Sequence, residues 1–369
     1  MGFVPLFIVY REFFRYIPFC RCAIAQRLVV KIMKKRQIQT EIKTESEKIS
    51  VSNLFRPNSM NGYIGQETAK RQIEIAIISA KMRNAPLGHV LLYGPPGLGK
   101  TTLAYLCALQ MDVPIICTVG SNLDKPGDVA KLLSTVTENS ILFIDEIHRI
   151  NPLAEECLYS AMEDGFISIT FGQNEQIKTV KLTLPAFTLI GATTRAGMIS
   201  APLRDRFLLQ CKMEYYSVDE LMQIARLSSD KLKITLSDES LRKVAESSRG
   251  TPRIVNKYLS AIRDFAYAEN DGEVTDQIVG AALVLAGVRN QGLTDIDLKL
   301  LTVLSDADRP LGLSTVSHIL GEDPQTVEDV YEPYLIMRQF IIKTPRGRII
   351  TDEGQHVLFS GDAASKMGG

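Results

Sequence analysis

From Asn53 onward, short apolar runs alternate with segments whose apolar residues recur every three or four positions. Gln66 to Met82 carries Ile73, Ala76, Ile77 and Ala80 at helical spacing. Val90–Tyr93, Ile115–Val119, Ile141–Ile144 and Phe187–Ala192 are largely apolar runs too short for helices, and each reads as a buried strand. Strands separated by helical pattern imply a parallel sheet with ligands at the carboxyl ends of its strands, so the fold class is α/β. Phe166–Phe171 and Ile177–Leu184 interrupt this order: both alternate, around GQNE, and predict a β-hairpin. Ile167, Ile169 and Phe171 share one face of it by period two. That face is either core or an apolar tip for a partner, and periodicity favours core.

After Tyr216 the pattern is helical. Ser217 and Glu220 form a capping box opening a helix through Arg226, Ser237 caps a second helix, Thr251-Pro252 opens a third and Thr275 a fourth. From about Leu293 the pattern changes again. Asp297–Leu304 and Ser314–Leu320 are short helices and Gln325–Phe340 a longer one. The alternating segment IIKTPRGRII then turns at Pro-Arg-Gly-Arg. Three helices and a hairpin describe a winged helix. The expected organisation is an N-terminal extension over 1–50, a large P-loop domain over 51–216, a small helical lid over 217–290, a winged helix over 291–360 and a tail over 361–369.

Hydrophobic residues make up 45% and charged residues 23% of the 369, as in an ordinary globular protein. The net charge of zero hides an asymmetry: residues 1–50 hold ten Lys/Arg and four Asp/Glu, a net of +6, leaving the remainder near −6. A nucleic-acid surface on the body must therefore be a local patch. Cys107, Cys117, Cys157 and Cys211 fall in apolar runs and read as buried thiols. Cys20 and Cys22 are too close for an ordinary disulfide and lack a second Cys/His pair for zinc, so a reducing cytoplasm fits. The apolar stretch FVPLFIVY near the start is shorter than a membrane span, and its positive charges follow rather than precede it. A disordered extension is expected there, with a peripheral membrane helix as the alternative.

The segment YGPPGLGKTT adds the chemistry. Gly94 to Thr101 fits G-x-x-x-x-G-K-[ST], the phosphate-cradling P-loop. Gly97 and Gly99, flanking Leu98, permit backbone angles that let several N–H groups converge on a phosphate. Lys100 supplies a point charge for the outer phosphates of ATP, Thr101 a hydroxyl for Mg²⁺, and the helix through Thr102 its positive end. In ILFIDEIHR, Asp145 at a strand end suits Mg²⁺ through its water shell, and Glu146 suits polarising a water. Thr194, in IGATTR, can position that water beside the γ-phosphate, or simply cap a turn. Arg206 in APLRDRF, with Arg204 near it, and Arg253 in GTPR offer forked guanidinium groups for phosphoryl charge. Surface ion pairing with Asp205 is the plainer alternative for the first two, and an ordinary exposed first-turn arginine for Arg253. Lys343, Arg346 and Arg348 flank the wing turn and suit phosphate-backbone contact, or a solvated basic turn.

GPPGLGKTT, DEIHR, GATTRAG, PLRDRF, RGTPR and YEPYL…TPRGR, in this order over roughly 53–358, closely resemble the RuvB family of AAA+ ATPases, motors of Holliday-junction branch migration. The resemblance implies a homohexameric ring around duplex DNA, with ATP between neighbouring subunits and no membrane. It implies that Arg206 reaches the next subunit's nucleotide and that Arg253 is the lid arginine. Phe55 and Arg56 match the adenine-side segment; Glu163, Asp164, Gly165 and Tyr216 match positions lining the nucleotide site. The hairpin at 166–184 would contact the junction-recognition protein RuvA, which reverses the core-favouring reading of Ile167 and Ile169. The resolvase RuvC is a further expected partner. Lys343 stands where the family usually has Arg, Leu208 where it usually has Gly, and residues 1–50 have no counterpart. A clamp-loader-type ATPase is one alternative, sharing the P-loop, acidic pair and lid without needing a basic wing; a protein-remodelling ATPase, with apolar pore residues and no DNA-stimulated turnover, is another.

Overall fold

The computed structural model describes residues 54–171 and 178–365, and the chain divides into two compact units, residues 1–56 and 57–369. Every element named below belongs to the second. The expectations for residues 1–50, and for the GQNE turn of the hairpin, lie outside the described residues.

Helix α1 (Glu67–Met82) buries Ala69, Ile73, Ile77 and Ala80, the stripe its spacing announced. It leads to β1 (Val90–Tyr93), followed by α2 (Lys100–Met111), β2 (Ile115–Val119), α3 (Pro126–Leu133), β3 (Ile141–Asp145) and α4 (Pro152–Glu163). The hairpin strands β4 (Phe166–Phe171) and β5 (Lys178–Thr183) come next, then β6 (Thr188–Thr193), the short α5 (Ala201–Asp205) and β7 (Leu209–Lys212). Five strands form one parallel sheet in the order β2-β3-β6-β1-β7. β1 lies between β6 and β7, so the loop after it leaves from the carboxyl edge beside the ends of β6 and β3. β7 was not anticipated. Only Cys211 of its four residues is buried, so its sequence lacks the apolar run that marks a central strand.

The hairpin pairs Phe166 with Thr183 through Phe171 with Lys178, antiparallel as expected. At its base Ile167 is 1% exposed and belongs to the core cluster with Leu158, Leu184 and Phe187. The exposed partner-facing role implied for Ile167 is therefore corrected in favour of the core reading, since a side chain so enclosed has no surface left to offer. Of the four cysteines expected to be buried, Cys107 and Cys211 are; Cys157 is half-buried and Cys117 exposed.

Helices α6 (Val218–Leu232), α7 (Asp238–Ser247), α8 (Pro252–Glu269) and α9 (Asp276–Leu285) form the lid. Ser217 and Glu220 make the expected capping box, and Ser237 and Thr275 accept from backbone N–H groups as caps. Thr251 does not cap α8; its hydroxyl donates to the Ser248 carbonyl instead.

α10 (Asp295–Ser305), α11 (Leu313–Leu320), a segment from Pro324 to Met337, the wing strands β8 (Ile341–Thr344) and β9 (Gly347–Ile350), and a closing helix Asp352–Ser365 build the winged helix. Its own core centres on Leu300, Leu301, Val327, Leu335 and Phe340. The long helix expected over 325–340 is broken into α12 (Pro324–Thr326), a π-helical stretch Val327–Tyr331 and α13 (Glu332–Met337). Pro333 explains the break: it has no N–H for the helical ladder and its ring crowds the preceding turn. The closing helix, α14, was not anticipated. No described helix is long and apolar enough to cross a membrane.

Candidate functional site

The phosphate loop curls around its own lysine. Lys100 is 7% exposed, and its Nζ donates to the carbonyls of Gly94 (2.7 Å) and Pro95 (2.8 Å). Burial lowers its pKa to about 8, although Glu146 and Asp145 oppose the shift. Two neutral carbonyls do not cancel a cation, so the loop retains positive charge for an anionic ligand. Leu98 is fully buried, and its carbonyl accepts from the hydroxyls of Tyr63 (3.3 Å) and Tyr216 (3.2 Å). Tyr216 thus buttresses the loop. Gly97 has φ 81°, and a Cβ there would sit 3.1 Å from the Cβ of Arg253. The Arg253 N–H donates to the Gly97 carbonyl (3.4 Å), so the first turn of α8 rests on the phosphate loop. Thr101 and Thr102, in the first turn of α2, are half-buried.

β3 delivers the two carboxylates. Asp145 ends the strand, where burial raises its pKa, and its Oδ1 accepts from the Glu146 N–H (3.0 Å). Glu146 adopts φ 47°, a left-handed conformation that a non-glycine residue holds only when its surroundings impose it. Gly120 is part of that imposition: a Cβ there would lie 2.4 Å from the Glu146 carbonyl oxygen. The bend turns the Glu146 carboxylate toward the end of β6. There Thr194 donates to it from its N–H (3.3 Å) and its hydroxyl (3.1 Å). His148 was missed by the sequence reading. Its Nδ1 lies 3.2 Å from Glu146 Oε2 and 2.8 Å from the Thr193 hydroxyl. Burial lowers the His148 pKa against the pull of Glu146. A lone histidine two residues past an acid carries no sequence signal for this role; only the fold brings β6 beside it.

Arg206 belongs to a different cluster. It caps the carboxyl end of α5, donates to the Pro202 carbonyl (2.8 Å), pairs with Glu163 (2.6 Å) and lies over the Tyr159 ring at 4.8 Å. Its Nε is buried without a partner among the described residues. Glu163 and Asp164 are exposed, and Gly165 has φ 66°. Arg204 donates to the Ala196 carbonyl. Leu208, in place of the family's usual Gly, is 74% exposed and lies against Gly88. Phe55 and Arg56 fall in the first unit.

The wing is less free than its sequence suggests. Lys343 pairs with Glu332 (2.8 Å) and Glu328 (3.0 Å), and Arg348 with Glu332 (2.6 Å). Glu332 is 1% exposed. Burial pulls the Lys343 pKa down, but its bonds to the two carboxylates outweigh this and raise it. Those bonds also hold Glu328 below the usual carboxylate range, Lys343 first. Arg346 is exposed and makes no ion pair among the described residues.

A P-loop, an acidic pair answered by a threonine on the neighbouring strand, a helical lid seated on the loop and a winged helix define a P-loop ATPase of the AAA+ class. Residues 55–213 match the Holliday junction DNA helicase RuvB P-loop domain, 216–289 the RuvB AAA lid domain and 290–359 the RuvB C-terminal winged helix domain. The Holliday junction branch migration complex subunit RuvB of Pediococcus pentosaceus is 47% identical over 316 residues, covering 85% of this chain and 93% of that one. The Thermotoga maritima RuvB Holliday junction branch migration motor superposes with a TM-score of 0.74 at 38% identity, over 83% of this chain and 98% of that one. A point mutant of the same Thermotoga protein gives 0.75 at 38%, over 82% and 98%. The chain belongs to the RuvB family.

Proposed function

We propose that this protein is an ATP-driven motor that migrates Holliday junctions in DNA recombination and repair, as a hexameric ring on duplex DNA. Its site fits a magnesium nucleotide. The Thr101 hydroxyl has no side-chain hydrogen bond among the described residues, and one Asp145 oxygen is likewise unengaged. No group of three or more described His, Cys, Asp or Glu residues could hold a metal alone, so a cation there takes most of its ligands from phosphate and water. Bound Mg²⁺ would neutralise charge on the outer phosphates, with Thr101 and Asp145 as its protein contacts.

Lys100 and the N–H groups of Gly97 to Thr102 grip the triphosphate. Glu146 accepts a proton from the attacking water, and Thr194 holds that carboxylate in position. Arg253 reads the outer phosphate from the lid. Tyr216 serves the nucleoside side. The observation that carries this reading is that Lys100 lies within electrostatic reach of Asp145, Glu146 and Arg253, and Thr194 holds Glu146, while Arg206 is held beside Glu163. The arginine is thus supplied to the neighbour's nucleotide, and Glu163 to Gly165 line that shared interface. Loss of the outer phosphate then lets the lid pivot, carrying the winged helix along the DNA backbone. Lys343, Arg346 and Arg348 contact phosphate rather than bases, as a motor that must not stall requires.

RuvA is the partner, contacted through the 166–184 hairpin other than Ile167, and RuvC acts on the same junction. The free thiols and the DNA substrate fit a cytoplasmic protein. The test is ATP-dependent dissociation of a synthetic four-way junction with and without RuvA. Conversion that needs ATP and is raised by RuvA supports the reading. ATP hydrolysis with no junction movement under either condition would favour the clamp-loader alternative.

A further inference from the structure

One ion pair ties the nucleotide-sensing edge of the sheet straight to the winged helix. Arg195 follows Thr194 immediately, and its own N–H donates to the Thr193 hydroxyl (2.9 Å), which also meets His148. Its guanidinium pairs with Asp329 in the π-helical stretch. Gln325, with its amide oxygen turned toward Arg195, accepts from both terminal nitrogens (2.6 and 3.2 Å). Asp329 neighbours Glu328, which holds Lys343 and reaches Arg348 at 3.8 Å. Polar contacts join the Glu146 carboxylate through His148 and the Thr193 hydroxyl to the Arg195 N–H, the Arg195 guanidinium holds Asp329, and one step of backbone separates Asp329 from Glu328 and the cations of the wing. The helical register along it is irregular: α12 passes into five π-helical residues before α13. π-Helical stretches recur at functional positions.

We propose that Arg195 is a positioning residue that couples the nucleotide state to the DNA wing through Asp329 and Gln325, bypassing the lid. The inference rests on the DNA-motor reading above. While Glu146 and Thr194 stand as they do here, Arg195 pins the π-helical stretch, and Glu328 stays against Lys343 and Arg348. When the end of β6 moves, the pair loosens, the stretch shifts register and the wing cations are released to phosphate. The pair is a third or more exposed on both sides, so it is a reversible link rather than a fixed strut.

The test uses the full chain and a fluorescent duplex. DNA affinity is measured with ADP and with a non-hydrolysable ATP analogue for the wild type, Asp329→Asn, Arg195→Asp, Asp329→Arg and the double reversal. The wild type is expected to bind DNA several-fold differently in the two nucleotide states. Asp329→Asn and both single reversals should bring that ratio to within about twofold of unity, and the double reversal should restore it. Asp329→Asn should leave DNA-free ATP hydrolysis within about twofold of wild type, which separates coupling from damage to the site. If the single variants keep the wild-type ratio, or the double reversal fails to restore it, the coupling role is overturned while the motor reading stands. A wild type that binds no duplex in either state overturns both.

Discussion

Removing the carboxylate that faces the wing cations should strengthen DNA binding. Glu328 is half-exposed, 3.0 Å from Lys343 and 3.8 Å from Arg348, and any phosphate approaching those cations must displace it. Exposed ion pairs contribute about 0.2–1 kcal/mol each, and the second of these is long. Glu328→Gln therefore removes about 1 kcal/mol of competition, which is roughly fivefold in the dissociation constant per engaged wing. It also frees about one more cation for phosphate, so the plot of log affinity against log salt should steepen by about 0.9 for each wing engaged. Fluorescence anisotropy with a short duplex, across a salt series, reads both quantities. Unchanged affinity and unchanged slope would refute the placement of Lys343 and Arg348 on the DNA path. Weaker binding would show that Glu328 positions the wing rather than competing for it.

Other expectations follow from the same geometry. Glu332 is buried between Lys343 and Arg348; Glu332→Ala leaves Lys343 its pair with Glu328 but leaves the largely buried Arg348 only the long contact to Glu328, and should destabilise the protein by up to about 3 kcal/mol, read by denaturant unfolding. Lys100→Ala should abolish nucleotide binding and hydrolysis together, measured by calorimetry and phosphate release. The Lys100 pKa of about 8 lies below its unfolded value, so the buried charge costs stability below pH 8, and that cost fades as pH rises toward about 10.4. Nucleotide favours the charged form, so ATP affinity should fall above about pH 8, by up to about tenfold per pH unit, in a calorimetric titration. Thr194→Val keeps the shape and removes the hydroxyl that holds Glu146, and should lower kcat with nucleotide affinity within about twofold.

Much of this was legible because it is local. The phosphate loop is one strand, one glycine-rich turn and one helix start, all within twelve residues, and chemistry and conformation demand the same residues there. The caps at Ser217, Ser237 and Thr275 are equally short-range. What escaped depends on distant partners. β7 is an edge strand whose pairing with β1, not its own apolarity, makes it a strand. His148 acquires its role from β6, some 45 residues on. The wing looked like three free cations because Glu328 and Glu332 sit on another element, 15 and 16 residues before Lys343 and Arg348. Ile167 shows the two kinds of inference disagreeing: periodicity placed it in the core, resemblance placed it at a partner surface, and the packing follows periodicity.

The shared site is tested most directly by mixing. A Lys100→Ala subunit holds no nucleotide but still presents Arg206; an Arg206→Ala subunit holds nucleotide but presents no arginine. Each alone should hydrolyse almost no ATP, and the account predicts that equal amounts combined recover a substantial fraction of wild-type turnover on junction DNA. A mixture as inactive as its components, under conditions where mixed rings form, would contradict it.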